Sequence, residues 1–327
     1  VFQPLNLPRP PKHLKKQIDI GIDFLKMGIA DLVFDDPSEL ASAALRGAVI
    51  APPGKKLCVA DLSNIEGRVL AWLAEEDWKL QAYRNFDAGH GHDLYVLAYA
   101  SSFGVAPERV LADEKAGGTM RLIGKVQELA LGYQGAVGAF GTMAKAYGVE
   151  LTEMRTLEIV KAWRKANPNI VKFWYGLEDV FKQVLTTRGM QITFGPLKLQ
   201  KDGPWTRIIL PSGRSLCYPY ARLNDEGKIE YHGVNQYTRQ WGPIATYGGK
   251  LVENVTQAVA RDVLMESLPH IEAAGFEIIL TVYDEVVAEA TTQTSDELCA
   301  LLTADIDWMP GLPLASKGFE TQRYRKD

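Results

Sequence analysis

Two aspartates stand where a carboxylate is costly to keep. Asp61 closes the apolar run Leu57-Cys58-Val59-Ala60. Asp284 sits in the turn Tyr283-Asp284-Glu285, inside the most hydrophobic hairpin pattern of the chain, Phe276 to Ala290. A carboxylate at the lip of a buried sheet needs a partner or a cation. Two of them on neighbouring strands would clamp divalent cations about 3.5–4 Å apart, the arrangement that serves in-line phosphoryl transfer. Taken singly, each also reads as a turn or cap acid bonded to its own backbone. A third feature is the series Arg121, Lys125, Leu129 and Tyr133, four residues apart. That spacing puts them on one slowly drifting face of a helix, about 18 Å long from first to last. Two cations at one end and a ring at the other suit a nucleoside triphosphate, phosphates on the cations and sugar and base at the far end. The plainer alternative is a solvated basic turn leading into an apolar stripe.

These groups need elements to hold them. Lys56 to Asp61 reads as a buried strand and 65–77 as a helix. From there to about 188 the pattern is helical. Thr152 is an N-cap for a helix to about 166, Asn167-Pro168 is a break, and a further helix to about 187 stops at Gly189. Residues 190–237 change to hairpin patterns, with Met190 to Phe194 and Arg207 to Leu210 punctuated by Gly195-Pro196 and Pro211-Ser212-Gly213. A long helix fits 246–273, closed by Gly275; two strands fill 276–290; a helix over about 295–306 and a last strand follow. Gly132, Gly135, Gly138 and Gly141 do not form a phosphate loop and read as a bend with close packing. A sheet element, a large helical insertion and more sheet make an α+β class.

The chain has 327 residues, 46% hydrophobic and 23% charged, with a net charge of −4. Disorder, collagen and coiled coil are excluded as the main state, and any polyanion contact must come from local patches. Cys58, Cys217 and Cys299 are far apart, forming neither a metal-ligand pair nor a disulfide framework, as suits a reducing compartment. No apolar run spans a bilayer and no secretory signal opens the chain, so no membrane partner and a cytoplasmic place are expected. The chain begins with Val and reads as a piece of a longer polypeptide or as a processed one. Residues 1–16, with Arg9, Lys12, His13, Lys15 and Lys16, read as an extended basic arm, either a holder of phosphates or a solvated tail. His90-Gly91-His92-Asp93 lacks a further ligand for a metal, and Asp93 reads as a helix N-cap. Trp163, Phe173, Trp174 and Tyr175 stand at helical spacings and read as core.

Asp61-Leu62-Ser63-Asn64-Ile65-Glu66-Gly67-Arg68 resembles the first palm motif of family A DNA polymerases, the group of bacterial DNA polymerase I and many phage enzymes. Arg121-x3-Lys125-x3-Leu129-x3-Tyr133 resembles their fingers helix, and Thr281-Val282-Tyr283-Asp284-Glu285 their third motif. The three occur in the family's order. Glu253 to Asp262 stands where that family has a helix facing the primer–template, and Asn6-Leu7-Pro8 and Arg46 to Pro52 resemble its approach to the first motif.

The resemblance implies a right-hand polymerase: an antiparallel palm sheet with packed helices (1–66 and 201–327) and a helical fingers insertion (67–200). The thumb and 3′–5′ exonuclease are expected to be absent from this chain, giving weak grip and no proofreading by this piece alone. A separate thumb or exonuclease segment, or a processivity factor, would then be a partner beside primer–template DNA and deoxynucleoside triphosphates. Asp61 and Asp284 would hold two Mg²⁺ ions, with Mn²⁺ able to substitute, joined by the backbone carbonyl of Leu62 and with Glu285 a further candidate. Glu66 would be the steric gate against a ribose 2′-hydroxyl. Arg121 and Lys125 would bind the triphosphate, with Lys125 a proton donor to pyrophosphate. Leu129 and Tyr133 complete the nucleotide-binding set, and Gln257, Arg261, Tyr283 and Arg68 would touch DNA. Three positions depart from the family. Leu129 replaces Phe or Tyr and loses a stacking ring, Gln134 replaces Gly, and Tyr283 replaces His. The activity implied is template-directed DNA synthesis. A single-subunit type of RNA polymerase and a non-catalytic nucleic-acid-binding remnant are the alternatives.

Overall fold

The protein is represented by a computed structural model that describes residues 7–8, 10–11, 13–187 and 189–325. Asn6, Arg9 and Lys12 therefore lie outside the described residues. In chain order the helices are α1 (Ile18–Met27), α2 (Pro37–Ala44), α3 (Ile65–Leu73), α4 (Asp77–Asp87), α5 (Leu94–Phe103), α6 (Pro107–Lys115), α7 (Met120–Leu131), α8 (Val137–Ala146), α9 (Glu153–Ala166), α10 (Pro168–Thr186), α11 (Gly248–Ala273) and α12 (Ser295–Leu302). The strands are β1 (Lys56–Leu62), β2 (Gln191–Phe194), β3 (Leu197–Asp202), β4 (Trp205–Ile209), β5 (Ser215–Pro219), β6 (Arg222–Leu223), β7 (Ile229–Val234), β8 (Trp241–Thr246), β9 (Glu277–Val282), β10 (Glu285–Ala290) and β11 (Ser316–Thr321).

Two compact units share these elements. One comprises 1–63, 263–305 and 314–327; the other comprises 64–262 and 306–313. The first change of unit thus falls between Ser63 and Asn64, and strands β2–β8 lie with the helices of the second unit.

The first unit is built on an antiparallel sheet in the order β11-β1-β10-β9. Both faces of β1 are covered, by the packing of Leu57 and Val59 with Ala51 and Tyr324 and by α12 against the strand, which is why Leu57, Cys58, Val59 and Ala60 are all buried rather than alternating. Leu57, Val59 and Val287 pack with Ala51 and Tyr324 on one side. The chain turns from β9 to β10 through Tyr283 and Asp284 alone, since Val282 and Glu285 already pair. Tyr283 takes up a left-handed φ of 57° there. α12 opens with a capping box in which Thr294 and Glu297 satisfy each other's backbone N–H. It ends at Leu302, short of the expected 306, where the Thr303 hydroxyl turns back to the carbonyl of Cys299.

The second unit holds α3–α10, the antiparallel meander β2-β3-β4-β5 and the smaller sheet β6-β7-β8. Several caps match the sequence. Thr152 Oγ1 accepts from Arg155 N at the start of α9, and Asp93 Oδ1 accepts from Tyr95 N and Val96 N at the start of α5. The break at Asn167-Pro168 has a cap that comes from far along the chain. The Glu76 carboxylate accepts from Asn169 N and Ile170 N, 3.0 and 3.1 Å away. Trp163 and Trp174 stack with ring centroids 6.0 Å apart, in the core as expected.

An ion pair ties the middle of α7 to this core. Lys79 Nζ donates to Glu128 Oε2 at 2.6 Å, Trp163 Nε1 donates to Glu128 Oε1 at 2.9 Å, and Lys79 lies 5.0 Å from the Trp163 ring centroid. Lys79 is 2% exposed. Glu128→Ala would leave a buried ammonium and an indole N–H without their acceptor. It should cost about 3–5 kcal/mol in urea unfolding, with the slope against urea unchanged.

Candidate polymerase site

The first unit brings the two aspartates together. Asp61 at the end of β1 is the register partner of Glu285, and Leu62 N donates to the carbonyl of Asp284 at 3.0 Å. Asp61 and Asp284 therefore occupy adjoining ends of neighbouring antiparallel strands, both half-buried. Ser316 Oγ donates to the carbonyl of Asp61 at 2.8 Å, which fixes the strand end from the other side. Leu62 is buried beside them.

Glu285 is held in the interior. Its carboxylate is 3% exposed and accepts from the hydroxyl of Tyr324, itself 1% exposed. Arg46 Nη1 donates in turn to the Tyr324 oxygen at 3.1 Å, and Arg46 Nη2 to the carbonyl of Leu7 at 2.8 Å. Burial, reinforced by the Glu285 charge, pushes the Tyr324 phenol up, so it stays a donor. The chain Arg46–Tyr324–Glu285 anchors the base of the hairpin that carries Asp284. Neither Arg46 nor Tyr324 was among the sequence candidates. The signal that could have found Arg46 is the stretch from Arg46 to Pro52, already noted as resembling the approach to the first motif. Tyr324→Phe should destabilise the protein by about 1–3 kcal/mol in thermal unfolding, because it strips a donor from a buried carboxylate.

Among the described residues no group of three or more His, Cys, Asp and Glu is placed to hold a metal. Two carboxylates suit Mg²⁺ all the same, since that ion commonly takes one or two protein carboxylates, several waters and substrate phosphates.

The second unit positions the candidate nucleotide residues. α7 crosses α5 closely at Gly124, where a Cβ would lie 2.0 Å from the carbonyl oxygen of Tyr95. Arg121 and Lys125 flank that contact on the chain. Arg121 is not a bare cation: its Nε donates to Asp93 Oδ2 at 2.9 Å and its Nη1 to Glu114 Oε1 at 3.3 Å. Partial burial works against its charge, and the Asp93 and Glu114 carboxylates together with Tyr95 more than offset that, holding the guanidinium's pKa up. Lys125 Nζ lies 4.7 Å from the centroid of the Tyr147 ring, within cation–π range. Leu129 is 42% exposed, an apolar side chain standing on the surface.

Tyr133 departs from the expected single helix. α7 ends at Leu131, and Tyr133 lies in the turn beyond it. The carbonyl of Gly132 is taken by Trp174 Nε1 at 2.7 Å, and a Cβ on Gly135 would lie 1.8 Å from the carbonyl oxygen of Ala130, so the chain folds back tightly. Gly138 and Gly141 have open space around them and take no part in that packing. Gln134 follows with a φ of 64°, a conformation that glycine adopts without cost. Its side-chain oxygen accepts from Gly249 N at 2.8 Å, at the start of α11.

The turn delivers Tyr133 to Glu66. Its hydroxyl donates to Glu66 Oε2 at 3.1 Å. Burial first, and the Glu66 charge second, push the phenol's pKa well up, so the proton stays on the tyrosine. Glu66 is exposed in the first turn of α3.

Arg68 is not a surface contact. It is 2% exposed, its guanidinium grips Asp87 through two bonds of 2.6 and 2.7 Å, and Nη1 also donates to the carbonyl of Pro313. It lies 4.5 Å from the centroid of the Tyr83 ring. These bonds take up its charge within the second unit. Gln257 and Arg261 are exposed one helical turn apart on α11, and Tyr283 is 73% exposed. His92 contacts Glu108 at 3.3 Å.

No protein-family model matches the chain. It is 38% identical to the DNA polymerase of Bacillus phage SP02 over 328 residues, covering 97% of this chain and 49% of that protein. The likeness to this phage DNA polymerase thus runs along nearly the whole chain. The chain is also 38% identical over 109 residues to the DNA polymerase I of Pseudomonas aeruginosa, a third of this chain and 10% of that protein. A solved structure of the POL domain of Pol1 from M. smegmatis, in complex with DNA primer-template and dNTP, superposes with a TM-score of 0.56. At 17% identity, over 86% of this chain and 42% of that one, this likeness establishes the α+β polymerase-domain fold. The chain spans about half the length of the phage polymerase it matches. No helix among the described residues is long and apolar enough to cross a membrane.

Proposed function

We propose that this chain carries out template-directed DNA synthesis, joining deoxynucleotides to a primer 3′-hydroxyl. The observation that carries the reading is the pairing of Asp61 with the Asp284–Glu285 turn on adjoining strands, in the order and spacing of the family's motifs. The phage relative named a DNA polymerase along nearly the whole chain, and the POL domain solved with primer-template and dNTP, support it.

Asp61 and Asp284 would hold two Mg²⁺ ions, with Mn²⁺ able to substitute. When bound, such ions lower the pKa of the primer hydroxyl and neutralise the departing pyrophosphate. In the reaction the primer 3′ oxygen bonds to the α-phosphorus as the bond to the bridging oxygen breaks. The hydroxyl proton leaves to solvent, and Lys125 gives a proton to pyrophosphate. Glu66 stands against a 2′-hydroxyl, held in place by Tyr133. Arg121, oriented by Asp93, and Lys125 bind the triphosphate. Leu129 offers an apolar contact to the nucleotide in place of a stacked ring. Gln257, Arg261 and Tyr283, all exposed, are the DNA contacts.

Arg121→Ala should weaken the use of deoxynucleoside triphosphates about tenfold, read as KM in steady-state incorporation, since one charge-assisted bond is worth about 1.5–3 kcal/mol. Primer extension by the full chain, with Mg²⁺ and with the metal chelated, tests the function itself. Metal-dependent extension with deoxynucleotides is expected. DNA binding without extension would mean a non-catalytic remnant, and equal use of ribonucleotides would favour an RNA polymerase.

A further inference from the structure

The first unit holds a cavity of about 430 Å³ that the synthesis reaction does not use. Lys15, Lys16, Arg46, Arg323 and Arg325 line it, against one carboxylate, Asp19. Arg46 is buried in its wall and committed to Tyr324 and to main-chain carbonyls. Arg323 Nη1 donates to the carbonyl of Gly47 at 3.0 Å, which fixes that guanidinium at the cavity. Lys15 and Lys16 are exposed on the turn that leads into α1. Among the described residues, none of Lys15, Lys16 and Arg323 is in an ion pair.

Cations gathered round one hollow repel each other, and a concave wall focuses their field on whatever enters. The chain as a whole is acidic, with a net charge of −4, so this excess is local. Lysine and arginine side chains in that arrangement match phosphate oxygens. The remaining wall is apolar, from Pro10, Ile18 and Ala43. The volume lies within the roughly 300–1,000 Å³ usual for small-molecule sites and exceeds what a bare phosphate fills.

We propose that this cavity is a binding site for a phosphate group carried on an organic body, either a free nucleotide or the end of a nucleic-acid strand. Its lining includes none of the triphosphate residues assigned above, which belong to the second unit. Lys15 and Lys16 supply charge at the mouth and Arg323 a fixed guanidinium.

The test is equilibrium binding to the full chain with divalent metal chelated, which silences nucleotide binding that depends on Asp61 and Asp284. The probes are deoxyadenosine monophosphate and a short oligothymidylate with or without a 5′-phosphate. The Lys15→Glu/Lys16→Glu double variant should lose at least about tenfold in affinity for the phosphorylated probe that binds. Lys15→Gln/Lys16→Gln serves as a milder control should the charge reversal unfold the protein. Loss of monophosphate binding identifies a free-nucleotide site. Loss confined to the 5′-phosphorylated strand identifies a strand-end site. Equal affinities of wild type and a folded variant for every probe, or no binding by the wild type, would overturn the proposal.

Discussion

Asp284→Asn should lower primer extension by about a thousandfold or more while leaving the thermal unfolding midpoint nearly unchanged. Asparagine keeps the size of the side chain and its tolerance of a tight turn, so Val282 and Glu285 can still pair across it. What is lost is one of the two carboxylates carried on the adjoining backbone at the end of β1 and the β9–β10 turn. Metal-assisted stabilisation of a transferring phosphoryl group is worth several kcal/mol, and each 1.36 kcal/mol is tenfold in rate, which gives about that loss. Asp61→Asn should match it. The two substitutions together should cost little more than one, because both remove the same clamp. Single-turnover extension from a saturating primer–template separates this loss from weakened DNA binding. Undiminished extension by Asp284→Asn would contradict the role given to that carboxylate.

Glu66→Ala should raise ribonucleotide use relative to deoxyribonucleotide use by about a hundredfold, the scale on which a shape-based pocket separates substrates differing by one hydroxyl. The measurement is the ratio of kcat/KM for the two nucleotide types opposite the same template base. Tyr133→Phe should shift the ratio in the same direction but less. It removes the 3.1 Å bond that holds the Glu66 carboxylate and leaves the carboxylate itself in place. An unchanged ratio in Glu66→Ala would remove the gate assignment. A shift with Tyr133→Phe alone would instead point to the tyrosine hydroxyl itself, since phenylalanine keeps the ring.

The parts of the fold that follow local rules were legible in the sequence. β1 and the β9–β10 hairpin are short apolar runs ending at turn residues, and the caps at Thr152 and Asp93 sit within three residues of the groups they satisfy. What distant residues impose was not legible. The four-residue spacing carries on to Tyr133, yet the helix stops at Leu131 because Trp174, forty-odd residues on, takes the carbonyl of Gly132. Arg68 is assigned to DNA by the resemblance alone; only the fold supplies Asp87 and the Tyr83 face that make its burial tolerable. Tyr324 stands in a short basic stretch near the end of the chain with no periodic signal, and its link to Glu285 exists only in three dimensions. Asp61, Asp284, Glu66 and Tyr133 were all named as candidates by type and order, whereas the groups that bond to them came from the structure.

Titration of Mn²⁺ into the full chain, followed by electron paramagnetic resonance in the presence of primer–template and a non-hydrolysable deoxynucleotide, addresses the paired carboxylates most directly. Two bound ions are expected for the wild type, and the loss of at least one in both Asp61→Asn and Asp284→Asn. The same number of ions, held as tightly, in either variant would show that these two acids do not hold the metal.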